Sequence, residues 1–299
     1  MSVEFKPSLL IPEVFHPFKR EKNFTAEVIE SIIEEDFYKS IEVGDGFEKT
    51  ERKRILELTE KKDIEVTQWL TFLIEENNLD VSSLDSRLRL ETVNRIKDSL
   101  SASAEIGAKN IAIVTGDDPG ADHREDGKEG LYESLCDIAE AAKTYEMNLL
   151  IEPLDRFAHK KRIIGTTDET ITLLNRVQEE HENIGIAFDT SHAALNGENI
   201  FEAMEKGDSL IHQIHFSNAV LDKHSKLYGD FHMDIGSPGF LTIEGISAIL
   251  RKANELKIQQ TNGLRVAVEV RGKGDKESCY QNEKELRSIL KQALNLVKI

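Results

Sequence analysis

Asn148-Leu-Leu-Ile-Glu152, Ile184-Gly-Ile-Ala-Phe-Asp189, Ile211-His-Gln-Ile-His215 and Leu264-Arg-Val-Ala-Val-Glu269 are short, mostly apolar runs, and each ends on a residue that ionises. Such runs lack the strict alternation of a strand with one wet face. They read as parallel strands covered by helices. Taken to their apolar limits they span 147–152, 184–189, 211–216 and 264–270. Similar runs occupy 8–15, 40–43, 64–72 and 110–115, making eight in all.

Helical periodicity separates them. Residues 25–37 place Val28, Ile29, Ile32 and Ile33 on one face, and 131–145 do the same with Leu131, Leu135, Ile138, Ala142 and Tyr145. Thr167-Asp168-Glu169-Thr170 offers capping residues and early acids, which suit the positive start of a helix. Residues 277–297 form the last helical pattern. Eight alternations of strand and helix predict a parallel sheet closed into a (β/α)8 TIM barrel. A single α/β domain over 1–299 is of ordinary size for that fold. The alternative is an open doubly wound sheet, but its dinucleotide-binding form needs a Gly-x-Gly-x-x-Gly turn after the first strand, and none occurs there. Two long connections, 116–127 and 218–239, each follow a strand, so both are expected on the catalytic face at the strands' C-terminal ends.

Bulk composition narrows the partners. Hydrophobic residues make up 39% and charged residues 31%, which suits a folded globular chain. The formal net charge of -17 opposes binding to nucleic acid. The basic runs are short, such as Lys160 to Arg162. Cys136 and Cys279 have no metal-type spacing; Cys136 lies in a helical pattern and reads as a buried thiol. That usage predicts a reducing, cytoplasmic setting. Residues 1–12 hold no signal-peptide core, and no apolar run approaches the ~20 residues that span a bilayer.

Glu152, Asp189, His215 and Glu269 end consecutive strands and converge at one point in a barrel. A lone acid at a strand end is usually a satisfied polar residue or a helix cap. Three carboxylates brought together in an apolar setting repel; one cation removes that repulsion and accounts for all four residues, the imidazole included. The oxygen-rich set predicts one divalent metal ion, with Mn²⁺, Co²⁺ or Mg²⁺ favoured and Zn²⁺ next. His192 follows Asp189 by three residues. Asp230 and His232 alternate, so in an extended segment they face one side. They can bind substrate or a second metal, or be solvated loop residues. Arg156 and Arg271 lie just past two of these strands, where either can hold a hydroxyl, carboxylate or phosphate, or pair with a barrel acid. His16 and Trp69 sit at strand ends, as pocket wall or as packing. Glu42 and Glu65 occur in matching Ile-Glu-Val runs and can reach the site, form a polar barrel layer or be exposed. His123 and His159 read as solvated.

At these residues the chain resembles the xylose isomerase-like barrel superfamily, the sugar phosphate isomerase/epimerase group that is related to AP endonuclease family 2. That pattern has a Glu on strand five, an Asp with a following His on strand six, a His on strand seven and a Glu on strand eight. Glu152, Asp189 with His192, His215 and Glu269 match it, and His232 with Gly236-Ser-Pro-Gly239 is similar to the segment after strand seven. The resemblance implies that Glu152 and Glu269 are both ligands and acid/base pair. A second glutamate of the tagatose epimerase pattern is replaced by Ala158. The AP endonuclease branch needs histidines where Gln68-Trp69-Leu70 and Thr115-Gly116-Asp117 stand.

The expectation is a divalent-metal-dependent isomerase or epimerase of a sugar, sugar phosphate or sugar acid, working through a stabilised enediolate. Its partner is a small carbohydrate, without nucleic acid or membrane, and self-association fits barrels of this kind. The alternatives, in order, are a metal-dependent dehydratase or lyase of a small oxo acid, an AP-endonuclease-like phosphodiester hydrolase, and a non-catalytic binding barrel.

Overall fold

The computed structural model describes residues 2–258 and 263–297. Its strands are β1 (Phe5–Leu10), β2 (Ser40–Val43), β3 (Glu65–Trp69), β4 (Ala108–Val114), β5 (Asn148–Glu152), β6 (Ile184–Asp189), β7 (Ile211–Val220), β8 (Gly229–Met233) and β9 (Leu264–Glu269). All except β8 are parallel. β1 pairs with β2 and β9, and β7 pairs with β6 and β9, so the eight-stranded barrel closes and leaves no edge. β8 pairs antiparallel with the far end of β7 and stands above the barrel mouth.

The helices are α1 (Ile11–Val14), α2 (Phe24–Ile32), α3 (Lys49–Glu60), α4 (Thr71–Glu76), α5 (Ser86–Glu105), α6 (Arg124–Lys143), α7 (Thr167–Gln178), α8 (Thr190–Leu195), α9 (Ile200–Gly207), α10 (Ile243–Leu256) and α11 (Lys276–Val297). The capping signal before α7 is real: Thr166 Oγ1 accepts from the Glu169 amide while the Glu169 carboxylate accepts from the Thr166 amide. No described helix is long and apolar enough to cross a membrane.

Apolar side chains pack in two places. The large cluster lies between barrel and helices and includes Phe15, Ile29, Ile41, Ile96, Ile138 and Phe216. A separate group, Leu10, Trp69, Ala112, Leu150 and Ala187, lies inside the barrel beneath the mouth. Leu150 and Ala187 sit two residues before Glu152 and Asp189, hence on the same strand face. Below them runs a polar layer. Glu65 accepts from Lys6, Arg265 and Asn110, and Asn148 donates to Asn110.

Several expected boundaries shift. The run 8–15 divides, because Pro12 suits the first turn of α1 but cannot donate to a sheet ladder. The run 64–72 likewise stops at Trp69, before α4. The connection 116–127 is shorter than read, since α6 begins at Arg124, and 218–239 is largely the β7–β8 hairpin rather than open loop. α6 ends before Tyr145, which is exposed. Cys136 is half-buried, not buried, while Cys279 is buried; both are free thiols.

Candidate metal centre and its cavity

Glu152, Asp189 and Glu269 are the last residues of β5, β6 and β9, and His215 lies opposite Asp189 in the β6–β7 register. One ligand atom from each of the four lies within 4.8 Å of the others, and all four residues are buried. His215 Nδ1 is 2.9 Å from Glu269 Oε2 and 3.7 Å from Glu152 Oε1. Yet His215 Nδ1, Glu269 Oε2 and Asp189 Oδ2 make no aligned hydrogen bond. Buried polar atoms are rarely left so, and here they face one another.

The helix-cap reading of Asp189 is half the story. Its Oδ1 accepts from the Ser191 and His192 amides and the Ser191 hydroxyl, capping α8, while Oδ2 stays free toward the cluster. His215 is fixed from behind. Its Nε2 lies 2.8 Å from Glu42 Oε2 and 2.6 Å from Gln213 Nε2; a neutral ring that donates from Nε2 to Glu42 presents the Nδ1 lone pair to the three carboxylates. Glu42 also accepts from Trp69 Nε1 at 2.7 Å and Ser8 Oγ at 2.9 Å. This donor set, with orphaned oxygens and a correctly presented imidazole nitrogen, fits a single divalent cation.

With no ion at its centre, the cluster favours protonation of Asp189 and His215. Burial pushes the Asp189 carboxyl up to about 7, and Glu269, Glu152 and Asp230 push the same way against His192. Burial also disfavours charge on Glu269, but His232 and His215 outweigh it and hold the carboxyl well below the usual range. His215 is raised well above an ordinary imidazole, because Glu42 and Glu269 outweigh its desolvation.

A second cluster adjoins the first. Asp230 Oδ2 lies 3.3 Å from Lys160 Nζ, 3.3 Å from His232 Nε2 and 3.7 Å from His192 Nε2. Against burial, His232, His192 and Lys160 bring Asp230 down to about 2. Burial opposes charge on His192, yet Asp155, Asp189 and Asp230 raise it to about 10. His232 is raised to about 9 by Asp230 and Glu269 against its desolvation. Its other ring nitrogen is 2.9 Å from Glu269 Oε1, and its φ of 46° re-aims it within the β8 segment.

A cavity of about 300 Å³ opens onto this centre. Glu152, His215, Glu269, His192, His232 and Trp69 line it, as do His16, Lys160 and Arg271. Asp189 and Asp230 stand behind that wall. Arg271 is held by Glu13, at 2.7 and 3.1 Å. Arg156 does not line the cavity: Glu169 and the Ile163 carbonyl hold its guanidinium. Glu65 belongs to the polar barrel layer. His159 is exposed but not simply solvated, since its Nδ1 meets the Asp230 carbonyl at 2.6 Å; His123 is exposed before α6.

Sequence reading missed Asp155, Lys160, Lys19 and Glu13. Asp155 is fully buried, receives the His159 and Lys160 amides and orients His192 through Nδ1 at 3.2 Å. Its position three residues past Glu152 was the available signal. Lys160 was visible only as part of a basic run.

A family model described as xylose isomerase-like TIM barrel matches residues 32–292. Among solved structures, a D-tagatose 3-epimerase-like protein superposes with a TM-score of 0.73 at 19% identity, covering 98% of each chain. D-psicose 3-epimerase from Clostridium cellulolyticum H10 gives 0.72 at 15% identity, covering 98% of this chain and 99% of its own. The IOLI protein with a bound zinc atom gives 0.70 at 15%, covering 98% of each. No curated protein sequence matches.

Proposed function

Because the chain belongs to the xylose isomerase-like TIM barrel family, we propose that it is a divalent-metal-dependent isomerase or epimerase of a sugar or sugar derivative. The observation that carries this reading is the buried quartet with its unpartnered Asp189 Oδ2, His215 Nδ1 and Glu269 Oε2 at the floor of a polar cavity. Glu152, Asp189, His215 and Glu269 would hold the ion, with Mn²⁺, Co²⁺ or Mg²⁺ favoured over Zn²⁺. Bound there, it would supply Lewis acidity toward a substrate carbonyl and lower the cost of negative charge developing on that oxygen.

Proton movement falls to the two glutamates. Both line the cavity, and each has a carboxylate oxygen at the cluster. One takes the proton from the carbon next to the carbonyl. The other returns a proton on the opposite face, giving epimerisation, or at the neighbouring carbon, giving isomerisation. His192 and His232 donate to substrate hydroxyls, Asp155 and Asp230 setting their orientation. The indole of Trp69, tied to Glu42, offers an apolar wall to sugar C–H groups.

A second reading is a dehydratase. Lys160, His192 and His232 gather proton donors around Asp230, and any of them can protonate a departing β-hydroxyl. Incubation of the Mn²⁺-loaded protein with a panel of ketoses, sugar phosphates, sugar acids and small oxo acids in heavy water separates the two. Deuterium entering the carbon skeleton without loss of water supports the isomerase. Loss of water supports the dehydratase. Neither change in any of these compounds rules out both.

Phosphodiester hydrolysis is disfavoured. The positions at the ends of β3 and β4 that the hydrolase branch fills with histidine hold Gln68-Trp69-Leu70 and Thr115-Gly116-Asp117, and the net charge is -17.

A further inference from the structure

We propose that the substrate carries a terminal anionic group, a carboxylate or a phosphate, and that Lys19 is its anchor at the cavity mouth. This rests on the sugar-directed reading above and narrows its substrate class.

The charges around the mouth are unevenly matched. Three carboxylates line it away from the metal centre, and an arginine already takes each of them. Glu13 is paired with Arg271 at 2.7 Å, Glu76 with Arg20 at 2.7 Å and Glu75 with Arg162 at 3.1 Å. Lys160 is engaged with Asp230. The Lys19 ammonium lines the same cavity, and among the described residues no carboxylate oxygen comes within 4.0 Å of it.

Its position is also constrained. Nζ lies 4.0 Å from the centroid of the Phe72 ring and 3.1 Å from His16 Nε2. An ammonium can only donate, so His16 Nε2 accepts and the proton of a neutral ring sits on Nδ1. The ammonium and the His16 ring beside it are thereby held together at the cavity wall. Desolvation, with Arg271 and Arg20 adding to it, lowers the Lys19 pKa against Glu13 and Glu76. An incoming anion would relieve that penalty. A neutral hydroxyl would do so far less, because charge-assisted hydrogen bonds are about twice as strong as neutral ones.

Calorimetric titration of the Mn²⁺-loaded protein with D-fructose, D-fructose 6-phosphate and D-fructuronate tests this. At least one anionic sugar is expected to bind roughly ten-fold or more tightly than D-fructose. Which one does so distinguishes phosphate from carboxylate. Lys19→Met should remove most of that preference and Lys19→Arg should keep it, with Lys19→Gln as a second neutral variant should the first fail to fold. Equal binding of all three sugars, no binding of either anion, or a preference that survives loss of the ammonium would overturn the proposal. Solvent exchange is read separately. Anion preference without exchange sinks the isomerase reading and leaves the anchor; exchange on neutral sugars without anion preference does the reverse.

Discussion

Nε2 of His215 and Oε2 of Glu42 stand 2.8 Å apart in the closed interior of the barrel. Glu42 has no exposed surface and is pinned by Trp69 and Ser8, so it cannot move to follow the imidazole. By accepting from Nε2 it would favour the neutral tautomer that presents Nδ1 to Glu152, Asp189 and Glu269. Glu42→Gln keeps the shape and loses the charge. It should weaken Mn²⁺ binding by about 10–100-fold in competition with a chelator. Unchanged affinity would show that Glu42 merely fills the barrel.

Glu269 stands between two imidazoles, with His215 and His232 each 2.9 Å from one of its oxygens. Glu269→Gln removes its capacity to carry a proton while preserving its volume. Turnover should fall by about 10²–10⁴-fold with an unchanged circular dichroism spectrum. Near-normal turnover would remove Glu269 from the acid/base pair.

Without the proposed cation the three buried carboxylates would repel one another. At an ion concentration one hundred times its dissociation constant, binding stabilises the fold by about 2.7 kcal/mol. Chelation should therefore lower the melting temperature by several degrees. Asp189→Asn, with one fewer charge and one fewer ligand, should melt at a temperature that chelator hardly alters. A melting temperature of the native chain that ignores both chelator and Mn²⁺ would argue against a cation here.

An acid sensitivity lies away from the site. The His212 ring rests against Gly185, where a Cβ would come within 2.3 Å of it. Burial, helped by Arg265, lowers its pKa from 6.5 to about 4. Below pH 6.5 the unfolded chain binds this proton and the folded chain does not. The stability contribution is thus present above 6.5 and lost as pH falls toward 4. His212→Asn should remove that loss, on the order of 2 kcal/mol, in urea unfolding measured at both pH values. Identical pH dependence in the two proteins would contradict the assignment.

The barrel and its quartet were legible because both follow from strand periodicity. Side chains two apart share a face, so an ionisable residue ending an apolar run points where its neighbours on adjacent strands point. What escaped depends on contacts the sequence does not order. Arg156 follows β5 closely, but its partner Glu169 comes from the start of α7. Lys19 sits in the turn after a 3-10 segment, and its place at the mouth depends on Phe72 of α4. The β7–β8 hairpin stayed hidden although Gly229-Asp-Phe-His-Met233 alternates polar and apolar residues, because that short run lies between polar and glycine-rich stretches that read as loop. Glu42 carried a sequence signal without a direction, since a polar barrel layer and a metal support both place an acid inside.

Metal content decides most directly whether the quartet is a cation site. The protein is equilibrated with Mn²⁺, freed of unbound ion and assayed for manganese per chain, alongside Asp189→Asn. One ion per chain, lost in the variant, is the expected result. A native chain that retains none would contradict the metal centre and the proton chemistry built on it.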